Sequence, residues 1–396
     1  MFQLRAILTH PIDLAYLPMA MESNVLSEAL VAWSAGHIAS TDASYETTAL
    51  EARSIALHAL AKSVASPLDS SSCHETNTAA CLVLLTSEVC QGDRTGWYNH
   101  LLGAKHIIES AQHTGIAGDA TLTGPEVFKQ SPEGQWVLRN FAYHDVLASV
   151  TLGRPPLISA DYLEGITDVV DTYLGVASEV LTFISQASAF DHDALFTATG
   201  PDEPLPFSTQ QQFTMSLEAY LEVKRKLHAW RCDTSAKPEL AAVAYAYRSA
   251  ALIHVYRRIR GLLRLGQSMN HSIHTEEFMD DTISSISAGL KYQANQILAH
   301  VAKIPLNDIP ESALLFPLFM AGGEVDPTET SQLDMIRMRL RMILEKRHFI
   351  NVLSALEVLE ELWELKRVHS DQMHDPETVA DWEDILKSQG GLLLLT

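Results

Sequence analysis

Basic residues are scarce in this chain of 396 residues: 28 Lys+Arg stand against 49 Asp+Glu, a formal net charge of −21. Nucleic-acid affinity comes largely from Lys and Arg displacing counterions from phosphates, so a field of that sign excludes unaided DNA binding. Cysteine is rarer still. Cys73, Cys81, Cys90 and Cys232 are too few and too scattered for a disulfide framework, which fits a reducing compartment, and they match no zinc spacing. No apolar run approaches the roughly 20 residues that cross a bilayer, and the closing Leu392-Leu393-Leu394-Leu395 is far too short. Near the N-terminus Pro11 and Asp13 interrupt the apolar stretch before a signal core forms. The expectation is an intracellular protein, nuclear or cytoplasmic, with no membrane contact.

Catalytic signatures are also missing. The sequence has no His-Glu-x-x-His, no Walker glycine loop, no Gly-x-Gly-x-x-Gly behind a strand and no Gly-x-Ser-x-Gly elbow. Nothing calls for a metal or a cofactor. Asp280-Asp281 is faintly like the aspartate pairs that hold magnesium–diphosphate, but without a second such motif a solvated helix turn is the plainer account.

What is present is helix. Hydrophobic residues make up 47% of the chain, enough for a large core. Residues 26–38 and 45–64 are rich in Ala and Leu, and 77–91 is apolar on nearly every side, hence interior. From Trp97 the residues Leu101, Ala104, Ile108 and Ala111 recur along one helical stripe. Further helices are expected over 135–152, ending at Pro155-Pro156, and over 213–231, 239–266 and 275–303. A short apolar helix over 311–322 ends at glycines, and a last pair covers 329–346 and 349–369, with Val352, Leu356, Leu359 and Trp363 on one stripe. Residues 115–132 and 191–212, rich in Gly and Pro, are expected as loops. No segment alternates as a strand and no fixed-period repeat is visible. The fold class expected is all-α, a multi-helix body of antiparallel helix pairs with no significant sheet, forming one domain over 1–396.

Within those helices a few polar residues are out of place. His144 and Asp145 lie within roughly 60° of the Phe141 spoke, so they point partly into the packed side. A histidine beside a carboxylate in apolar surroundings can act as a general base, with Asp145 orienting His144 and His100 or Glu324 as a second acid. The plainer account is a hydrogen-bonded core histidine and a carboxylate that satisfies neighbouring backbone groups. Trp97, Phe141 and Glu324 are candidates to line a ligand pocket. Lys224-Arg225-Lys226 and Arg257-Arg258-Ile259-Arg260 read as amphipathic faces with long stems, the first also fitting a nuclear-import signal.

Four segments carry a resemblance: Trp97-Tyr98-Asn99-His100-Leu101-Leu102-Gly103-Ala104, Phe141-Ala142-Tyr143-His144-Asp145-Val146-Leu147, Phe316-Pro317-Leu318-Phe319-Met320-Ala321-Gly322-Gly323-Glu324 and Val358-Leu359-Glu360-Glu361-Leu362-Trp363. Leu30 to Ile38 and Trp382-Glu383-Asp384-Ile385-Leu386 support them. In order and type they resemble the C-terminal regulatory domain of fungal zinc-cluster (Zn2Cys6) transcription factors, the second fungal-specific family, over about residues 15 to 395. The resemblance implies an all-helical regulatory region that couples or restrains activation, binds small inducers or partner proteins, and dimerises. The family's DNA reader needs six cysteines in a Cys-x2-Cys-x6-Cys arrangement to hold two zinc ions, and no such array exists here.

The reading that follows is a regulatory, ligand-sensing domain without its own DNA reader, tied to control of metabolism or a secondary-metabolite pathway. It acts through a small-molecule effector, partner proteins and a homodimer. The alternative is the same scaffold turned enzyme of secondary metabolism, cyclising or isomerising a substrate in an apolar pocket with His144 as acid/base. A third is a scaffold that assembles through its apolar helix faces.

Overall fold

The computed structural model describes residues 11–65, 71–93, 95–113, 121–171, 173–190, 207–269, 276–306, 313–371, 381–390 and 392–396. These are predominantly α-helical, as the hydrophobic periodicity leads one to expect. The helices are α1 (Pro11–Glu22), α2 (Asn24–Ala39), α3 (Glu46–Ala65), α4 (Ser71–Cys90), α5 (Gly96–Ser110), α6 (Pro125–Phe128), α7 (Pro132–Leu152) and α8 (Val180–Ser188). After them come α9 (Phe207–Ala229), α10 (Pro238–Met269), α11 (Glu276–Val301), α12 (Leu315–Glu324), α13 (Thr330–Arg347), α14 (Ile350–Asp371) and α15 (Trp382–Gln389). A single small sheet interrupts the pattern. β1 (Gln112–His113) and β2 (Leu122–Thr123) pair antiparallel, with Gln112 opposite Thr123 and His113 opposite Leu122.

The chain divides into two compact units: residues 1–145, 162–173 and 344–354 form the first, and 146–161, 174–343 and 355–396 the second. In the first, α2 packs on α3 and α4, and α4 on α5. Ser23 starts α2 by accepting from the Leu26 amide at 3.3 Å, satisfying one of the orphan donors at a helix start. Small residues let α2 and α3 approach closely: Ala29, Ala32, Ala35 and Gly36 are buried on one, Ala52 and Ala56 on the other. The stripe Trp97, Leu101, Ala104, Ile108 and Ala111 is fully buried, as its spacing requires. In the second unit the long α10 packs against α8, α9, α11 and α12. Val352, Leu356, Leu359 and Trp363 are buried on α14, while Glu357, Glu361 and Glu364 face solvent.

Three local expectations change. Gly322 and Gly323 do not end the apolar helix; they lie inside α12, which runs on to Glu324. A Cβ on Gly322 would meet Leu359 Cδ1 at 2.8 Å, and one on Gly323 would meet Trp382 Cδ1 at 2.8 Å, so these glycines are there to admit neighbouring side chains. The segment 115–132 holds β2 and the short α6 rather than loop alone, and 114–120 lies outside the described residues. Helix α9 begins at Phe207, inside the stretch expected as loop to 212, and residues 191–206 lie outside the described residues.

Candidate functional site

Helix α7 carries a cluster of buried polar and aromatic groups in the first unit. Trp136, Arg139, Asn140, Tyr143, His144 and Asp145 are all buried. The Asn140 amide donates to the Tyr16 hydroxyl at 2.8 Å, and the Tyr16 ring meets Trp136 edge-on with centroids 4.6 Å apart. The Arg139 guanidinium donates to Asp171 Oδ2 at 3.0 Å and to the Ile166 carbonyl at 3.1 Å, both in the chain after α7. That segment also supplies Tyr173, stacked on Tyr143 at 5.0 Å and edge-on to His144 at 6.0 Å. Tyr16 and Tyr173, from other parts of the chain, therefore pack against Trp136, Tyr143 and His144 of α7.

Electrostatics follow from enclosure. Burial pushes the His144 imidazole down to about 3, so it is neutral at any physiological pH. Burial pushes the Tyr16 hydroxyl up to about 12, and raises Tyr162 and Tyr173 well above the usual range. The Asp145 carboxyl adds to the rise at Tyr162, which places its charge near that phenol. Such a site offers a neutral imidazole, phenol hydroxyls and aromatic faces.

The other sequence candidates fall elsewhere. His100 Nε2 lies 3.0 Å from Glu88 Oε1, an oxygen that also receives Arg53. His100 on α5 thus shares Glu88 of α4 with Arg53 of α3. Trp97 and Phe141 are core residues, 1% and 0% exposed. Glu324 belongs to the second unit, where Arg257 Nη1 donates to it at 2.7 Å and Arg260 lies 3.7 Å away. The side chains of Asp280 and Asp281 lie outside the described residues. Lys224 sits over the Tyr256 ring at 4.9 Å, and exposed Arg225 pairs with Glu222 on its own helix.

Around Arg257, which by sequence lies on an amphipathic face with long stems, the second unit holds a network of charged groups. Its Nη2 donates to Asp381 Oδ1 at 2.6 Å and to Glu383 Oε1 at 2.8 Å, and its plane lies 4.6 Å from the Trp382 ring. Burial alone would lower the Arg257 pKa, but the three carboxylates more than offset it. Asp381 is pulled down to about 2: burial raises it and Arg257 overrides that. A legible signal existed: Ala246, Ala250, Ile253 and Arg257 step along α10 on one buried stripe. Three of the motif blocks meet here. Trp363 Nε1 and Lys366 Nζ donate to the Gly322 and Gly323 carbonyls at 2.8 and 2.7 Å, and α15 brings Trp382 onto Phe319.

A model of the family described as "fungal specific transcription factor domain" matches residues 9–396. The chain belongs to that family. Its motif blocks thus sit in a fungal transcription factor domain, and the role that membership implies is regulation of transcription. Among curated proteins, this fungal transcription factor domain is similar to the transcriptional activator protein UGA3 of Saccharomyces cerevisiae. The two are 21% identical over 383 residues, covering 88% of this chain and 68% of the relative. No solved structure matches. Among the described residues no helix of the domain is long and apolar enough to cross a membrane, and no three His, Cys, Asp or Glu are grouped to hold a metal.

Proposed function

We propose that this chain is a single regulatory domain that senses a small metabolite and passes the signal to transcription through partner proteins, with a DNA reader supplied from outside residues 1–396. The observation that carries the reading is the enclosed polar and aromatic surround of α7. Interiors are stabilised by apolar side chains, whereas this one holds Tyr16, Asn140, Tyr143 and His144, with the half-buried Tyr173 against them. A few convergent polar groups among aromatic faces are what small, weakly charged ligands recognise. The acidic excess supports a partner for DNA contact, because a chain at −21 repels phosphate. The name of the relative, a transcriptional activator, supports activation as the output, and control of a metabolic pathway is the setting in which a metabolite sensor serves.

The enzymatic alternative draws less support from the same site. A base whose conjugate acid sits near 3 is unprotonated at neutral pH but too weak to take a proton efficiently. His100 is engaged by Glu88, and Glu324 by Arg257.

The test is a fusion of the full chain to an unrelated DNA-binding domain, read by a reporter gene in yeast. The expected outcome is a reporter that changes several-fold with metabolite supply and loses that response in Tyr173→Phe or His144→Asn. A reporter that stays flat in every medium, with the fusion present at normal level in the nucleus, would sink the proposal.

A further inference from the structure

Helix α3 buries little and exposes much. Of its 20 residues only Ala52 and Ala56 are buried. Leu50, Leu57 and Val64 are 63%, 39% and 48% exposed, and Ile55 is exposed as well. Nine of the eighteen large hydrophobic side chains exposed among the described residues lie between Leu17 and Val64. Single exposed leucines are ordinary, but a concentration of this kind marks an interaction surface.

The spacing says what kind. Leu50, Leu57 and Val64 are seven residues apart, with exposed Ser54 and Ala61 between them. At 100° per residue these five occupy a stripe roughly 80° wide, a seam that suits a second helix packed along it. Glu51 and Lys62 lie on one and the same flank of that stripe. If two copies pack antiparallel about a two-fold axis at Leu57, Leu50 of each meets Val64 of the other. The shared flank then sets Glu51 against Lys62 of the other copy, as an isologous contact requires. In a parallel pair the same two residues would not face each other.

We infer that the α3 stripe Leu50–Leu57–Val64 is a homodimer interface in which two copies of this chain pack antiparallel about Leu57. This goes beyond the sensing role and does not depend on it. The surface lies on α3, away from the residues named around α7.

Sedimentation of the full chain over roughly 1 to 100 µM tests it. The wild type should show a monomer–dimer equilibrium, and Leu57→Glu should weaken it at least about 100-fold, since a charge is then buried at the centre of the contact. At a concentration where both are monomeric, the circular dichroism melt of Leu57→Glu should match wild type, because the side chain is exposed in the monomer. Glu51→Lys and Lys62→Glu should each weaken the dimer several-fold, and the double exchange should restore it. In a Cys73→Ser background, oxidised Leu57→Cys should cross-link to itself, whereas Leu50→Cys should cross-link only when mixed with Val64→Cys. A wild type that stays monomeric throughout would overturn the inference and assign the stripe to a different protein. A dimer indifferent to Leu57→Glu would overturn it too, as would cross-linking of Leu50→Cys to itself in place of the mixed pair.

Discussion

Trp363 donates its indole N–H to the Gly322 carbonyl at 2.8 Å, and Leu359, one turn earlier on α14, fills the space that a side chain at position 322 would take. Removing the indole donor and adding a methyl group therefore act on one contact from opposite sides. Gly322→Ala should destabilise the chain by about 1–3 kcal/mol through overpacking against an immobile leucine. Trp363→Phe should cost about 1–3 kcal/mol by leaving a buried carbonyl without its donor. Urea unfolding of the two variants checks both values, and their double mutant should be less than additive because the sites touch.

Arg257 holds three carboxylates, so Arg257→Met leaves Glu324, Asp381 and Glu383 to repel one another. A loss of about 3–5 kcal/mol is expected, since one partner of an enclosed ion pair has been removed. Arg257→Lys should recover only part of it, because one ammonium cannot reach all three acids with the same geometry. Thermal melts at fixed pH distinguish these outcomes.

Asp381 makes that network pH-dependent. Its folded pKa is lowered to about 2, so its contribution is present above the unfolded value near 4 and is lost as pH falls toward 2. The size is about 2 kcal/mol. Urea midpoints between pH 5 and 2.5 should fall more steeply in wild type than in Asp381→Asn.

His144 acts in a higher window. Because burial lowers its folded pKa to about 3, the unfolded chain binds the extra proton first, and stability drops as pH falls from about 6.5 toward 3. His144→Gln should flatten the stability profile between pH 6.5 and 5, at a fixed cost at pH 7. His300, lowered to about 4 by burial above all, contributes a slope of the same sign that the variant leaves in place. An unchanged slope in the variant would show that His144 is already protonated in the folded state.

The purified chain should leave a labelled DNA duplex unretarded at 50 mM salt and above. A net charge of −21 works against the counterion release that gives the usual salt-sensitive affinity. Retardation that fell steeply between about 50 and 200 mM salt would contradict this.

Much of the helical layout was legible because burial imposes a period. The Trp97 and Val352 stripes gave the inward faces of α5 and α14, and α10 was expected over 239–266 against an observed Pro238–Met269. Four helices escaped, α6 and α15 among them because four and eight residues are too few for a clear period. In α1, Pro18 lies inside the helix and reads as a breaker. In α8, nine residues are too few for a clear period. The little sheet escaped as well, because a two-residue strand leaves no alternation to detect. At the candidate site, Phe141, His144 and Asp145 were placed correctly on the buried side of α7. Their neighbours Tyr16 and Tyr173 were not foreseen, since they come from distant parts of the chain and carry no local signal.

Composition and periodicity alone determined that this chain is helical and acidic, because helix period and net charge are sums over local residues. Tertiary structure alone decided the partners. Gly322 and Gly323 look like helix stops until Leu359 and Trp382 are seen against them, and Arg257 looks like part of an amphipathic face until Asp381, 124 residues away, closes on it. Contacts between distant segments depend on how helices dock, and docking follows from the shapes of whole faces rather than from any one stretch of sequence.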